Sequence, residues 1–173
     1  MKRWRLGPAD LLAGIDAHGP CTAWVEPGGT APHGMAAAMH TGDGSVLAVH
    51  ARALDEAIRR IDRWLTDPRT VPAELPTGPP FHRACWLAAC SIAPGTTVTY
   101  AALATMAGRP AAVRAAAQAM ARNRLAPLVP CHRVVAASGL GGFMGKDASA
   151  RDSGWALRLK RWLLAREGAP AAR

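Results

Sequence analysis

Within Leu128-Val129-Pro130-Cys131-His132-Arg133-Val134-Val135 a cysteine adjoins a histidine, with a proline before it and apolar residues on both sides. A thiol attacks as thiolate, and a nearby imidazole, directly or through a water, is the usual way to form thiolate near neutral pH. The apolar flanks predict a buried strand or strand-like turn that would hold the sulfur rigidly. A structural cysteine that merely neighbours a histidine fits the octapeptide as well, because free cysteine is among the most buried residue types. Cys21, Cys85 and Cys90 lie far from it and form no CxxC pair, so zinc-ribbon spacing is absent. Cys85 and Cys90 read as packing residues. His18, His33, His40 and His50 match no ligand pattern, and no metal site is expected.

A carboxylate near the end of the chain is the second candidate. The last helical pattern starts after Asp152 or Ser153 and aligns Trp155, Leu159, Trp162 and Leu163. Glu167 follows Leu163 by four residues, on the same side, and Gly168 stops the helix. A carboxylate in line with a buried stripe needs a partner, and a histidine would serve. A terminal glutamate facing water is the alternative.

The charge is unevenly placed. The net charge is +9 over 173 residues, yet residues 1–80 hold 8 Lys/Arg against 9 Asp/Glu and residues 81–173 hold 13 against 3. All the excess positive charge lies in the half with Cys131. Such a surface attracts polyanions, nucleic acid first among them. Half of the residues are apolar, enough for a core. No apolar run is long enough to span a bilayer, and the basic start Met1-Lys2-Arg3-Trp4-Arg5 is followed by no apolar h-region. A reduced, intracellular, soluble protein is expected.

These residues need elements to hold them. Residues 21–25, 35–41 and 45–50, separated by Gly/Pro clusters, predict a small antiparallel sheet, with a tight turn at Gly42-Asp43-Gly44. Residues 51–65 carry Leu54, Ile58, Ile61, Trp64 and Leu65 at helical spacing. Residues 66–80 hold five prolines and read as a linker between domains at 1–65 and 81–173. Residues 81–92 predict a helix with Phe81, Cys85, Ala88 and Ala89 toward one side and Trp86 beside them. Thr99 caps a helix over 100–107, Gly108-Arg109-Pro110 turns, and 111–121 forms a second helix, the pattern of a helix-turn-helix. That second helix is crowded with alanine, which lets its backbone approach a partner closely, with Arg114 projecting near its start. Residues 138–145 form a Gly-rich loop suited to a flexible pocket wall and match no phosphate-binding fingerprint.

Phe81…Trp86, Gly95-Thr96…Tyr100, Arg114…Met120…Asn123, Pro130-Cys131-His132-Arg133-Val134, the Gly-rich loop and Trp162-Leu163-Leu164…Glu167-Gly168 together resemble the O6-alkylguanine-DNA alkyltransferases, also called methylated-DNA–protein-cysteine methyltransferases. The likeness runs in order through residues 81–168. It implies an α/β fold: a small RNase-H-like N-terminal domain, then a mostly helical, winged-helix-like C-terminal domain carrying the helix-turn-helix. It implies that Cys131 accepts the alkyl group from O6 of guanine as a stable thioether, one event per molecule. His132, through a water, would take the thiol proton, Glu167 would polarise His132, and Asn123 would brace the cysteine turn. Tyr100 would donate to the departing guanine. Arg114 would fill the space left by the flipped nucleotide while Ala115 rides in the minor groove, with Thr99, Gln118, Met120 and Arg122 as further DNA contacts. Tyr100, Val134, Gly142, Phe143 and Met144 would line the pocket, the Cys131 and Val134 carbonyls reading the guanine amino group.

The same resemblance implies double-stranded DNA containing O6-alkylguanine as the partner, no cofactor, no membrane, a monomer, and a bacterial cytoplasmic location beside the nucleoid. O4-alkylthymine repair and cooperativity along DNA stay open. The chemistry is self-consistent: a base inside a duplex hides its O6 substituent and must be extruded, which costs a few kcal/mol of unstacking. The chain departs from the family at Arg124, at Ala116-Ala117, and at residues 146–154, which read as an insertion and stretch Cys131–Glu167 to 36 positions. Three other readings compete. A relative that binds alkylguanine without removing it would lack Cys131. A thiol hydrolase would need a non-adjacent base and an oxyanion loop. A plain transcription factor would leave the thiol run without a purpose.

Overall fold

The structure, a computed structural model, describes residues 1–16, 19–30, 44–144 and 153–169. The chain divides into two compact units: Met1–Pro76 with Arg124–Leu128, and Thr77–Asn123 with Val129–Arg173.

In the first unit β1 (Lys2–Leu6), β2 (Ala9–Asp16) and β3 (Gly19–Val25) form an antiparallel sheet in the order β1-β2-β3. Gly7 and Pro8 make the turn between the Leu6↔Ala9 pair. Trp4 pairs with Leu11 and Leu11 with Trp24, so a row of large side chains crosses the sheet. α1 (Gly44–Trp64) packs on β2 and β3 and buries Ala57, Ile61 and Trp64. Asp62 of α1 accepts from Lys2 Nζ at 2.7 Å and from Trp4 Nε1 at 2.8 Å, which ties the helix to the edge strand.

The sheet differs from the expected one. Residues 45–50 are helical, because the stripe of 51–65 continues through them and helix propagation is cooperative once nucleated. Residues 35–41 and the turn at 42–43 lie outside the described residues. The strand β1 is hidden in the sequence by three basic residues in five positions, with only the intervening Trp4 buried. The proline-rich stretch up to Pro76 belongs to the first unit, and so does the short segment 124–128. There Arg124 O accepts from Thr22 N at 2.6 Å and from Thr22 Oγ1 at 3.2 Å.

In the second unit α2 (Pro80–Cys90) starts on a proline, whose missing N–H costs nothing in a first turn. Its buried residues are His82, Cys85, Trp86 and Ala89, whereas Phe81 and Ala88 are half-buried, so the buried side is rotated toward His82 and Trp86. Trp86 Nε1 donates to Ala119 O at 2.8 Å, satisfying a carbonyl near the end of the next-but-one helix. β4 (Val98–Thr99) leads into α3 (Tyr100–Met106), whose first turn is capped by Thr99 Oγ1 accepting from Ala102 N at 3.1 Å. A turn through Gly108 leads to α4 (Val113–Ala121). Leu103 and Ala104 of α3 and Ala116, Ala119 and Met120 of α4 are buried. β5 (Val134–Val135) pairs in parallel with β4, Val98 opposite Val134. α5 (Ser153–Arg166) buries Ala156, Leu159, Lys160, Leu163 and Leu164, with Trp155 and Trp162 at the margin.

Candidate active site and nucleic-acid interface

Cys131 opens a single turn of 3-10 helix, Cys131–Arg133, between the buried Val129 and the strand β5. The Cys131 N–H donates to Val129 O at 2.9 Å and the Arg133 N–H to Pro130 O at 3.0 Å. The Val134 N–H donates to Cys131 O. Asn123, two residues past α4, donates from Nδ2 to Val129 O at 2.7 Å and braces the approach to the thiol. Cys131 is therefore mounted on backbone tied at both ends, and it is 7% exposed.

A buried charge cluster lies behind this turn. His132 Nε2 is 2.9 Å from Glu167 Oε1. With the carboxylate ionised, Nε2 carries the proton and the ring's lone pair is on Nδ1. Arg133 donates from Nη2 to Glu167 Oε1 and from Nε to Oε2, both at 2.9 Å, and from Nη1 to Ile92 O at 2.6 Å. The side chains of His132, Arg133 and Glu167 are 1%, 2% and 0% exposed. Gly95 makes this packing possible: its φ is +77°, and a Cβ there would stand 2.9 Å from Glu167 O.

The electrostatics follow from that geometry. Burial alone would raise the Glu167 carboxyl, but hydrogen bonds from His132 and Arg133 reverse this and hold it down at about 2. Burial lowers His132 below its ordinary value, helped by the charges of Arg133 and Lys160 and opposed by Glu167. The imidazole rests neutral, the form that accepts a proton. Burial pushes the Cys131 thiol up, while Asn123, the Lys160 charge and the N–H groups of Cys131 and His132 favour the thiolate. The turn that carries the Cys131 thiol thus also carries a neutral imidazole already paired with an anionic carboxylate.

Tyr100, the first residue of α3, donates from Oη to Gly142 O at 3.2 Å. Burial, reinforced by the Cys131 charge, pushes its hydroxyl up to about 12, so it stays a donor near neutral pH. Within the Gly-rich stretch the carbonyls of Leu140 and Gly142 are hydrogen-bonded by side chains of α3 and α5. Lys160 Nζ donates to Leu140 O at 2.7 Å and Gly142 O at 3.2 Å, and Leu140 and Phe143 are buried. Phe143 lies under the ammonium, 5.7 Å from ring centroid to Nζ, and Val134 is fully buried, its carbonyl accepting from Lys160 Nζ at 2.7 Å. Met144 is half-buried, with φ +57°.

Arg114 and Gln118 of α4 and Arg122, which caps its C-terminus, are exposed at four-residue spacing, with Ala115 half-buried beside Arg114. Met120 is 5% exposed, so it packs inside the unit and its expected place among the DNA contacts is withdrawn. Of the seven alanines from 111 to 121, Ala116 and Ala119 are buried. Thr99 is occupied as the α3 cap. Two residues of the cluster escaped sequence reasoning. Arg133 was read only as part of a motif, although a buried Glu167 calls for more than a neutral imidazole. Lys160 stands four residues from Ala156 and from Leu164, inside the apolar stripe, and that position was the available signal. Among the described residues no group of three His, Cys, Asp or Glu could hold a metal ion, and no helix is long and apolar enough to cross a membrane.

A short helix pair with exposed arginines precedes a buried thiol whose turn also holds an imidazole paired to a buried carboxylate. Residues 80–169 match the family described as 6-O-methylguanine DNA methyltransferase, DNA binding domain, and the chain belongs to that family. It is 41% identical over 101 residues to the Bifunctional transcriptional activator/DNA repair enzyme Ada of Escherichia coli, covering 58% of this chain and 25% of that protein. It is 35% identical over 99 residues to the Methylated-DNA--protein-cysteine methyltransferase of Kluyveromyces lactis, covering 57% and 48%. The chain thus spans from about a quarter to about half the length of these curated relatives. The crystal structure of Mycobacterium tuberculosis OGT in complex with DNA has the same fold, at TM-score 0.61 and 24% identity over 98% of this chain and 94% of that one. The Mycobacterium tuberculosis O6-methylguanine methyltransferase matches at TM-score 0.55 and 25% identity over 93% and 96%.

Proposed function

We propose that this chain repairs DNA by moving an alkyl group from O6 of guanine onto its own Cys131, once per molecule. The observation that carries the reading is the His132–Glu167 contact of 2.9 Å, fixed by Arg133 and placed directly behind the cysteine turn. The Cys131 proton passes to His132 through a water, and Glu167 stabilises the imidazolium that forms. The sulfur attacks the carbon on O6 from the side opposite the oxygen; the S–C bond forms as the C–O bond breaks. The electron pair stays on guanine, which takes a proton from the Tyr100 hydroxyl, and Tyr100 is reprotonated by solvent. The thioether product has no route back to thiol, so the reaction ends there.

Duplex DNA reaches this site by extrusion of the damaged nucleotide. The exposed row of Arg114, Gln118 and Arg122 lies along DNA, Arg114 entering the stack where the base has left and Ala115 allowing close approach. Asn123 braces the cysteine turn, and the carbonyls of Cys131 and Val134 read the guanine amino group. The first unit is an RNase-H-like domain, the second a winged-helix-like one, and the protein works as a monomer in the bacterial cytoplasm at the nucleoid.

Cys131→Ala tests the reading. It binds O6-methylguanine duplex as the unsubstituted chain does and removes no methyl group, whereas one unsubstituted molecule clears one adduct. Continued clearance by C131A, or turnover beyond one adduct per molecule, would refute it.

A further inference from the structure

The second unit carries a one-sided charge that the α4 row does not exhaust. Among its described residues Glu167 is the only Asp or Glu, and that side chain is buried against His132 and Arg133. Its exposed charged residues, among those described, are all arginines: Arg83, Arg109, Arg114 and Arg122 on and around α2 to α4, and Arg158, Arg161 and Arg166 on α5. A surface kept soluble by charge normally mixes both signs, whereas one without acids suits a polyanion. α5 packs on the cysteine turn and buries Ala156, Leu159, Lys160 and Leu163. At 3.6 residues per turn Arg158 and Arg161 fall on the opposite side. Trp162 is half-buried at the margin, with the Arg166 guanidinium 5.7 Å from its ring centroid. Arg158 Nη1 would stand 3.6 Å from a Cβ on Gly154, so its guanidinium lies back along the first turn. The arginines are thus spread along the outer side of the helix. From Arg158 to Arg166 the axis advances about 12 Å, over which one DNA strand presents roughly three phosphates.

We propose that the outer face of α5 is a second DNA-binding surface, on which Arg158, Arg161 and Arg166 hold phosphates of duplex DNA whether or not a damaged base is present. The inference rests on DNA as the partner and adds contacts that the alkyl-transfer reading does not use. Helix stability does not account for these charges. α5 has no acidic residue in its first turn and none anywhere along Ser153–Arg166, so no intrahelical ion pair is available to its arginines. On α1, by contrast, Arg59 and Arg60 are both paired with Glu56, at 3.0 and 2.6 Å. Arg166 suits the negative end of the α5 dipole, but Arg158 and Arg161 stand in mid-helix, where that effect has faded. A guanidinium matches phosphate in shape as well as charge, and a contact of this kind reads no sequence.

The test is the salt dependence of binding to undamaged and O6-methylguanine duplexes, read by fluorescence anisotropy. Each phosphate contact contributes about 0.9 to the slope of log Kobs against log salt concentration. A chain with Arg158→Gln, Arg161→Gln and Arg166→Gln together therefore shows a slope shallower by roughly 2 to 3, alike on both duplexes. Lysine at the same three positions keeps the charge and restores most of the slope. A control with Arg52→Gln, Arg59→Gln and Arg63→Gln removes three positive charges from α1 and leaves the slope as it was. An unchanged slope in the folded α5 variant overturns the proposal and leaves that face to an acidic protein or to solvent. An equal loss in the α1 control overturns it too, since net charge alone would then be acting. Should the triple variant fail to fold, R158Q and R161Q decide singly: each loses about 0.9, and no loss in either overturns the proposal. If the slope falls as stated while no methyl group moves onto Cys131, the α5 surface stands and the repair reading falls. Methyl transfer with an unchanged slope sinks the α5 surface alone.

Discussion

Replacing Glu167 with glutamine removes one negative charge from a place that solvent does not reach. The carboxylate accepts His132 Nε2 and two nitrogens of Arg133, all at 2.9 Å. These contacts hold its pKa at about 2 against an ordinary 4.5. At about 1.36 kcal/mol per pH unit, that difference is worth roughly 3 kcal/mol of native-state stability. Because the folded-state value is the lower one, this stabilisation is complete above pH 4.5, declines as pH falls, and is lost below about 2. Glu167→Gln carries none of it, and it leaves the Arg133 guanidinium buried without its anion. The unfolding free energies of the two proteins, from urea titrations followed by tryptophan fluorescence, therefore differ by roughly 3 kcal/mol more at pH 7 than near pH 2. The difference should already be narrowing between pH 4.5 and 3. A gap that stays constant from pH 7 to pH 3 would refute the ionised, doubly bonded carboxylate. The substitution also deprives a protonated His132 of its counter-charge, and methyl transfer slows on the order of 100-fold.

Arg114→Ala removes the exposed side chain at the start of α4 and leaves the thiol untouched. Transfer from duplex DNA slows about 10- to 100-fold, the equivalent of part of the unstacking cost, while reaction with free O6-benzylguanine is nearly unchanged; equal slowing of both would remove Arg114 from base extrusion. Gly95→Ala combines a left-handed backbone with a Cβ 2.9 Å from Glu167 O, whereas Gly108, at φ +80°, has nothing within 4 Å. G108A loses about 1 kcal/mol from backbone strain alone, and G95A loses more and also slows transfer, since it pushes on the residue behind His132. Equal thermal shifts in the two variants would show that the close approach at Gly95 carries no weight.

The parts of the site that were legible in sequence are those where residue type alone narrows the chemistry. Cys131 beside His132, and a carboxylate in line with an apolar stripe, left few partners for Glu167, and the structure brings it to His132. α3 and α4 were readable within two residues because Thr99 caps the first and Gly108 and Pro110 interrupt the pair. The rest depended on long-range packing. β1 is a strand whose basic residues mask its period, and the first turns of α1 look like a valine-containing strand until the whole helix is counted. Lys160 resembles any solvated lysine of an amphipathic helix; only the carbonyls of two distant segments show why it is buried. Met120 fits a helix surface by its neighbours, but the rotation of α4 against α3 turns it inward. The joining of residues 124–128 to the first unit rests on contacts with residues more than a hundred positions away.

The claim on which all of this depends is that Cys131 itself becomes the permanent owner of the alkyl group. Incubating the protein with duplex DNA containing O6-methylguanine, then measuring intact and peptide masses, tests it without further assumption. One added methyl group, about 14 Da, located on the peptide bearing Cys131 and matched by one guanine restored per molecule, is the predicted result. A protein that leaves its mass unchanged while the lesion disappears, or that carries the methyl group on Cys21, Cys85 or Cys90, contradicts the account.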